Sequence, residues 1–168
     1  MPGGYCLVVA TTSPVTPLDG RELSTWRMFI ETVDDLLAKL NGDFAPHGIT
    51  LGDYQVLVFL SEAEARQMRM VDLAAALHLS PSGLTRRLDG LTREGFVSRV
   101  PSVEDRRVML AVLTHRGYAK LVEAYPTHVA SVRRRILDHC SSPNDVVTVG
   151  RVFAAIQAGL CADGRSPS

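Results

Sequence analysis

The segment from Met70 to Gly117 leaves this chain few ways to fold. A short apolar run, Met70 to Leu77, is followed by the tight turn His78-Leu79-Ser80. Ser80 then caps a second helix through its hydroxyl, and Pro81 takes the first helical position, where a missing amide costs nothing. Leu84, Leu88 and Leu91 give that helix one apolar stripe, and Gly95 stops it. Phe96–Val100 and Val108–Leu113 read as strands joined by a polar connection, Pro101 to Arg107. Thr114 caps the next helix. Helix, three-residue turn, helix and hairpin predict a mainly α (α+β) fold. It is a winged helix-turn-helix with a two-stranded wing, set between long N- and C-terminal dimerisation helices.

The flanks supply those helices. Leu23, Trp26, Ile30, Val33, Leu37 and Leu40 recur at helical spacing until Pro46-His-Gly48 closes the element. Thr50 or Gly52 caps a second helix, and Ala63 to Gln67 is a polar turn. After Thr114 a helix runs to about His139, bent or interrupted near Pro126. Ser142-Pro143 opens a last helix whose apolar positions Val146, Val149, Phe153, Ile156 and Leu160 repeat three to four residues apart. In a chain of 168 residues these helices are too long to cover one another, and a second copy would bury them most simply. Ile136, Leu137, Val149, Phe153, Ile156 and Leu160 are the expected dimer seam, with a self-contained core as the alternative. The expected organisation is a loose tail over 1–20, a single domain over 21–161 and a C-terminal tail over 162–168. Within the domain the winged core covers about 50–115, and the dimerisation helices cover about 21–45 and 115–161.

Net charge is zero, but it is segregated. From Arg21 to Glu64 three basic residues (Arg21, Arg27, Lys39) face eight acids (Glu22, Glu31, Asp34, Asp35, Asp43, Asp53, Glu62, Glu64). From Arg66 to Arg107 eight arginines (66, 69, 86, 87, 93, 99, 106, 107) face five acids (72, 89, 94, 104, 105). Phosphate would be repelled by the first region and attracted by the second, so double-stranded DNA is the expected partner, met with one surface. With Leu84 facing the core, a 100° step places Ser82, Arg86, Asp89 and Arg93 opposite it and Thr85 on the flank. Ser80, Ser82, Thr85 and Arg86 are candidate groove contacts, since hydroxyls reach bases or phosphate and Arg forks onto guanine. Arg87, nearer the core edge, is expected on phosphate. In the hairpin, Arg107 is expected in the minor groove, aimed by a charge-assisted bond from Asp105, with Arg106 and Arg99 on the backbone.

Several motifs together carry a resemblance. They are Asp72-Leu-Ala-Ala-Ala-Leu77, Ser80-Pro-Ser-Gly-Leu-Thr-Arg86, Leu91 through Gly95, Val97-Ser-Arg99, Asp105-Arg-Arg107 and Leu113-Thr-His-Arg-Gly117. In these the chain resembles the MarR family of winged-helix regulators, over about residues 21–161. The resemblance implies a homodimer, a palindromic operator, and repression relieved by a small, often aromatic or phenolic, ligand. Gly83 departs from the pattern by removing one side chain from the recognition helix. The family's effector pocket lies between the dimerisation helices and the winged lobe; Trp26, Ile30, His47, Tyr54 and Val58 are the candidate lining residues here. Trp26 and Tyr54 join apolar area to a polar tip, which suits an aromatic acid or phenol, although helical spacing also fits Trp26 to ordinary core packing.

Other classes find less support. No Gly-rich phosphate loop, His-Glu-x-x-His, nucleophile elbow or notable carboxylate pair argues for an enzyme. Cys6, Cys140 and Cys161 are too scattered for a disulfide framework or metal knuckle. His115, His128, His139 and Cys140 form no ligand pair at helical spacing, so neither metal nor cofactor is expected. Thiol-based redox sensing and a winged-helix protein-interaction module stay open as alternatives. The apolar run Tyr5–Ala10 lacks a basic flank and makes a poor signal peptide. No run approaches the ~20 residues of a membrane span, so no membrane partner is expected and the cytoplasm is the expected compartment.

Overall fold

The computed structural model describes residues 15–163. The expected tails over 1–20 and 162–168 fall largely outside these residues, as does Cys6. The chain divides after Asp35 into two compact units.

The first unit contributes most of α1, Gly20–Gly42. Asp19 caps it: its Oδ1 accepts the amides of Arg21 (2.7 Å) and Glu22 (2.9 Å), while the Glu22 carboxylate accepts the Asp19 amide at 2.8 Å. Trp26 and Phe29 stack with ring centroids 6.1 Å apart. Leu23, Trp26, Phe29 and Ile30 are all exposed.

The second unit carries the core. After a 3₁₀ turn at Ala45–His47 come α2 (Leu51–Glu62), β1 (Gln67–Arg69), α3 (Met70–Ala76), α4 (Pro81–Arg93), β2 (Val97–Pro101), β3 (Met109–Leu113), α5 (His115–Arg135) and α6 (Pro143–Asp163). Thr50, not Gly52, caps α2, in a reciprocal box with Asp53. Phe44, Leu57, Leu60, Leu73, Leu84 and Leu88 are fully buried at the centre. No described helix is long and apolar enough to cross a membrane.

The sheet has three antiparallel strands in the order β1-β3-β2, with Met68 and Arg99 both opposite Ala111. The wing hairpin is thus present, but the expected two-stranded sheet gains β1 from the end of the supposed polar turn. Ala65 (φ 50°) and Arg66 (φ 55°) adopt left-handed backbone that turns the chain from α2 into this strand. Three residues reading Gln-Met-Arg offer no alternation to recognise.

Helix α5 runs unbroken through Pro126 and ends instead at Ile136 (φ −129°, ψ −64°), followed by a 3₁₀ turn at Leu137–His139. Asp43 pins the end of α5. It accepts hydrogen bonds from Arg135 Nε (2.8 Å) and Nη2 (2.7 Å), from Arg134 Nη2 (3.3 Å) and from the buried Ser131 hydroxyl. Arg135, with Ser131 beside it, holds the Asp43 carboxyl well below the usual carboxylate range.

At the other end, α5 is welded to the wing. Thr114 donates from Oγ1 to the Gly95 carbonyl (2.7 Å) and accepts the Gly117 amide (3.0 Å). A Cβ on Gly117 would stand 2.0 Å from the Phe96 carbonyl oxygen. The Leu113-Thr-x-x-Gly117 motif is therefore a steric junction between β3 and α5.

Candidate nucleic-acid interface

Helix α4 starts as its cap dictates. Ser80 Oγ accepts the Gly83 amide at 3.1 Å, with Pro81 in the first turn. Leu84, Leu88 and Leu91 anchor one side in the core, which leaves Ser82, Thr85, Arg86 and Arg93 exposed on the other. Thr85 donates its hydroxyl to the Pro81 carbonyl (2.9 Å), so toward a ligand it offers a methyl and a lone pair. Ser82 Oγ lies 3.2 Å from Ser80 Oγ.

Two arginines expected on phosphate are engaged within the protein. Arg99 is tied to α4: its Nη2 donates to the Thr85 carbonyl (2.9 Å) and to Asp89 Oδ1 (2.7 Å). It bolts β2 to α4, and it also claims Asp89 from the supposed groove side. Arg87 turns toward the start of α2, with Nη1 at 3.8 Å from Asp53 Oδ1. A Cβ on Gly52 would lie 1.6 Å from that nitrogen, so Gly52 is the residue that admits the guanidinium.

The wing tip corrects a third expectation. Asp105 Oδ1 accepts the main-chain amide of Arg107 at 2.9 Å, not its guanidinium. The Val108 amide bonds the Asp105 carbonyl (2.9 Å) and the Ser102 amide bonds the Val108 carbonyl (2.8 Å), closing the turn. Asp105 therefore shapes the backbone beneath Arg107, in the manner of an Asx turn. Arg86, Arg106 and Arg107 are exposed and make no ion pair among the described residues. Unpaired guanidinium groups on a helix and a rigid hairpin can bind phosphate oxygens or fork onto guanine.

The MarR family model matches residues 47–108, from the 3₁₀ turn through the wing. The crystal structure of AbsC, a MarR family transcriptional regulator from Streptomyces coelicolor, superposes with a TM-score of 0.83 at 35% identity. That match covers 88% of this chain and 99% of AbsC. The chain belongs to the MarR family. Sco3205, a second MarR family regulator from Streptomyces coelicolor, was solved in complex with DNA. It matches with a TM-score of 0.81 at 30% identity, over 90% of this chain and 95% of that one. The transcriptional repressor YetL of Bacillus subtilis (strain 168) is 30% identical over 103 residues, 61% of this chain and 62% of YetL. The chain thus spans less than two thirds of the length of YetL and of the transcriptional repressor MprA of Escherichia coli (strain K12), a second curated relative.

This MarR-family chain also has a cleft of about 440 Å³ between α2 and α5. Of the expected effector residues, Tyr54 and Val58 line it, together with Glu62, Tyr118, Tyr125 and His128, which the sequence reading missed. Tyr118, Val122 and Tyr125 recur at helical spacing, and that was the available signal. Tyr54 is buried between rings, with centroids 4.8 Å from both Phe44 and His128. Burial pushes the Tyr54 phenol up and the His128 imidazole down, favouring the neutral form of each. His47 departs from expectation. Its Nδ1 lies 3.0 Å from Glu123 and its Nε2 2.8 Å from Thr127, so it clamps the 3₁₀ turn to α5 outside this cleft. Trp26 and Ile30 belong to the first unit.

Proposed function

We propose that this MarR-family chain is a cytoplasmic, homodimeric transcriptional repressor. Each protomer would read half of a palindromic operator, and a small aromatic ligand in the α2–α5 cleft would release the DNA. The observation that carries the reading is the set of unpaired guanidiniums at Arg86, Arg106 and Arg107 on a helix and hairpin held rigid by Arg99. Ser80, Ser82 and Thr85 would add hydroxyl contacts at the start of the recognition helix. The solved DNA complex of Sco3205 supports the same use of the fold.

Support for the dimer comes from α6, whose Val149, Phe153, Ile156 and Leu160 are exposed along a helical stripe. Ile136 and Leu137, at the turn after α5, are half-buried. Two copies could bury these side chains together and set recognition helices about one DNA turn, ~34 Å, apart.

The test is salt-dependent binding of the purified chain to palindromes recovered by genome-wide footprinting. A specific complex whose affinity falls steeply with salt, carried by a dimer, is expected. Equal affinity for random duplex, or a monomeric mass at micromolar concentration, would refute the reading.

A further inference from the structure

The chemistry of the α2–α5 cleft specifies more than an aromatic guest. Its walls carry three phenol rings, those of Tyr54, Tyr118 and Tyr125. Glu62 is the carboxylate in the lining, and it makes no ion pair among the described residues. Burial lowers the affinity of the His128 imidazole for a proton, and its Nδ1 has no hydrogen-bond partner among the described residues. No lysine or arginine lines the cleft. A carboxylate guest would bring its charge against Glu62, and the guanidinium beside the cleft, that of Arg66, is already engaged on the Tyr118 ring.

A second contact points the same way. The left-handed backbone at Arg66 places its guanidinium 4.0 Å from the centroid of the Tyr118 ring. One ring of the cleft lining, Tyr118, thus already holds a cation supplied by the chain itself, which leaves the Tyr125 ring for a guest. Phenol rings present negative faces to a cation, and rings grouped around a free carboxylate are the usual chemistry for holding an ammonium group.

We infer that the cleft takes an organic cation, an aryl-ammonium or amidinium of one-ring size, held between the exposed Tyr125 ring and the Glu62 carboxylate. The inference rests on the reading of this cleft as the effector site and fixes the charge of its ligand. A volume of about 440 Å³ leaves room for such a molecule.

The test uses the full chain and matched probes: benzylamine and benzamidine as cations, benzyl alcohol as the neutral form, benzoate as the anion. Calorimetric titration should show the cations binding at least about tenfold more tightly than the alcohol or benzoate. Glu62→Gln should bring benzylamine to within about twofold of benzyl alcohol, and Tyr125→Ala should weaken the cations about tenfold. Both variants alter exposed side chains, and unchanged far-UV dichroism and operator binding without probe would show that they fold. Benzoate binding as tightly as the cations, particularly if Arg66→Gln abolishes it, would overturn the inference by making Arg66 the ligand's partner. Failure of every probe to bind would overturn it too. Operator binding without any probe tests the regulator reading separately, so the two can fail independently.

Discussion

Helices α4 and α6 look alike as sequences and fare differently in the fold. Each spaces its large apolar residues three to four apart. In α4 the stripe is used up within the chain: Leu84, Leu88 and Leu91 are 1%, 0% and 3% exposed. In α6, Val149, Phe153, Ile156 and Leu160 stay 40%, 54%, 50% and 67% exposed. Periodicity establishes that a helix has an apolar face. Whether that face is covered within the chain depends on where the rest of the chain can reach.

The sharpest way to break the comparison is a matched pair of truncations. Leu88→Ala should cost about 2–5 kcal/mol of unfolding free energy whatever the protein concentration, because it opens a cavity in a closed core. Phe153→Ala should change a dilute protomer by under about 0.5 kcal/mol while weakening self-association about tenfold or more. Urea melts at two concentrations, with sedimentation equilibrium, separate the effects. An equal, concentration-independent loss in both variants would mean that α6 is packed within its own chain.

The next effect concerns the link between β2 and α4, the surface proposed to meet DNA. Arg99→Ala removes two bonds between β2 and α4, one of them to the partly exposed Asp89 carboxylate. It should cost about 1–2 kcal/mol of stability and also weaken operator binding. If stability is untouched while the salt slope falls, Arg99 contacts phosphate after all. Arg107→Ala should do the reverse. Melting should be unchanged, while operator affinity drops several-fold and the log–log salt slope decreases by about one. Wild-type slope and affinity in a binding isotherm would remove Arg107 from the interface.

The smallest effect is a pH dependence at Asp43. Its carboxyl is held low by Arg135 and Ser131, whereas in the unfolded chain it should titrate near ~3.9. Its contribution is therefore present above that unfolded value and is lost as pH falls toward the lower folded one. Between about pH 5 and pH 2.5 wild-type stability should fall more steeply than that of Asp43→Asn, by up to about one proton in slope. Parallel curves in acid-denaturation series would show that the Asp43 cluster does not hold its proton off.

What was legible in the sequence was local. Ser80 with Pro81, Thr114 and the Leu84-Leu88-Leu91 stripe declare themselves within four residues, because caps and helix faces are short-range. The misread residues have partners on other elements. Arg99 finds Asp89 on α4, His47 finds Glu123 and Thr127 on α5, and β1 exists because β3 pairs with it. The spacing of Asp105 and Arg107 predicts a side-chain pair, but Asp105 serves Arg107 through the main chain, since an Asx turn reaches the amide two residues on before any side chain. Tyr118 and Tyr125 were visible as a stripe, but α2 had to be placed opposite before they became the wall of a cleft.

The junction at Gly117 has a mechanical consequence. A joint with no room for a methyl group against the Phe96 carbonyl leaves little slack between the wing and the root of α5. The helix beyond it is 21 residues long, a rigid arm of about 30 Å. A tilt of about 5° at its root would swing the far end, where Arg135 grips Asp43, by roughly 2.5 Å. A guest wedged halfway along, between Tyr54 and Tyr125, would push on that arm as on a lever, and the stiffness of the pivot would send the motion to the wing.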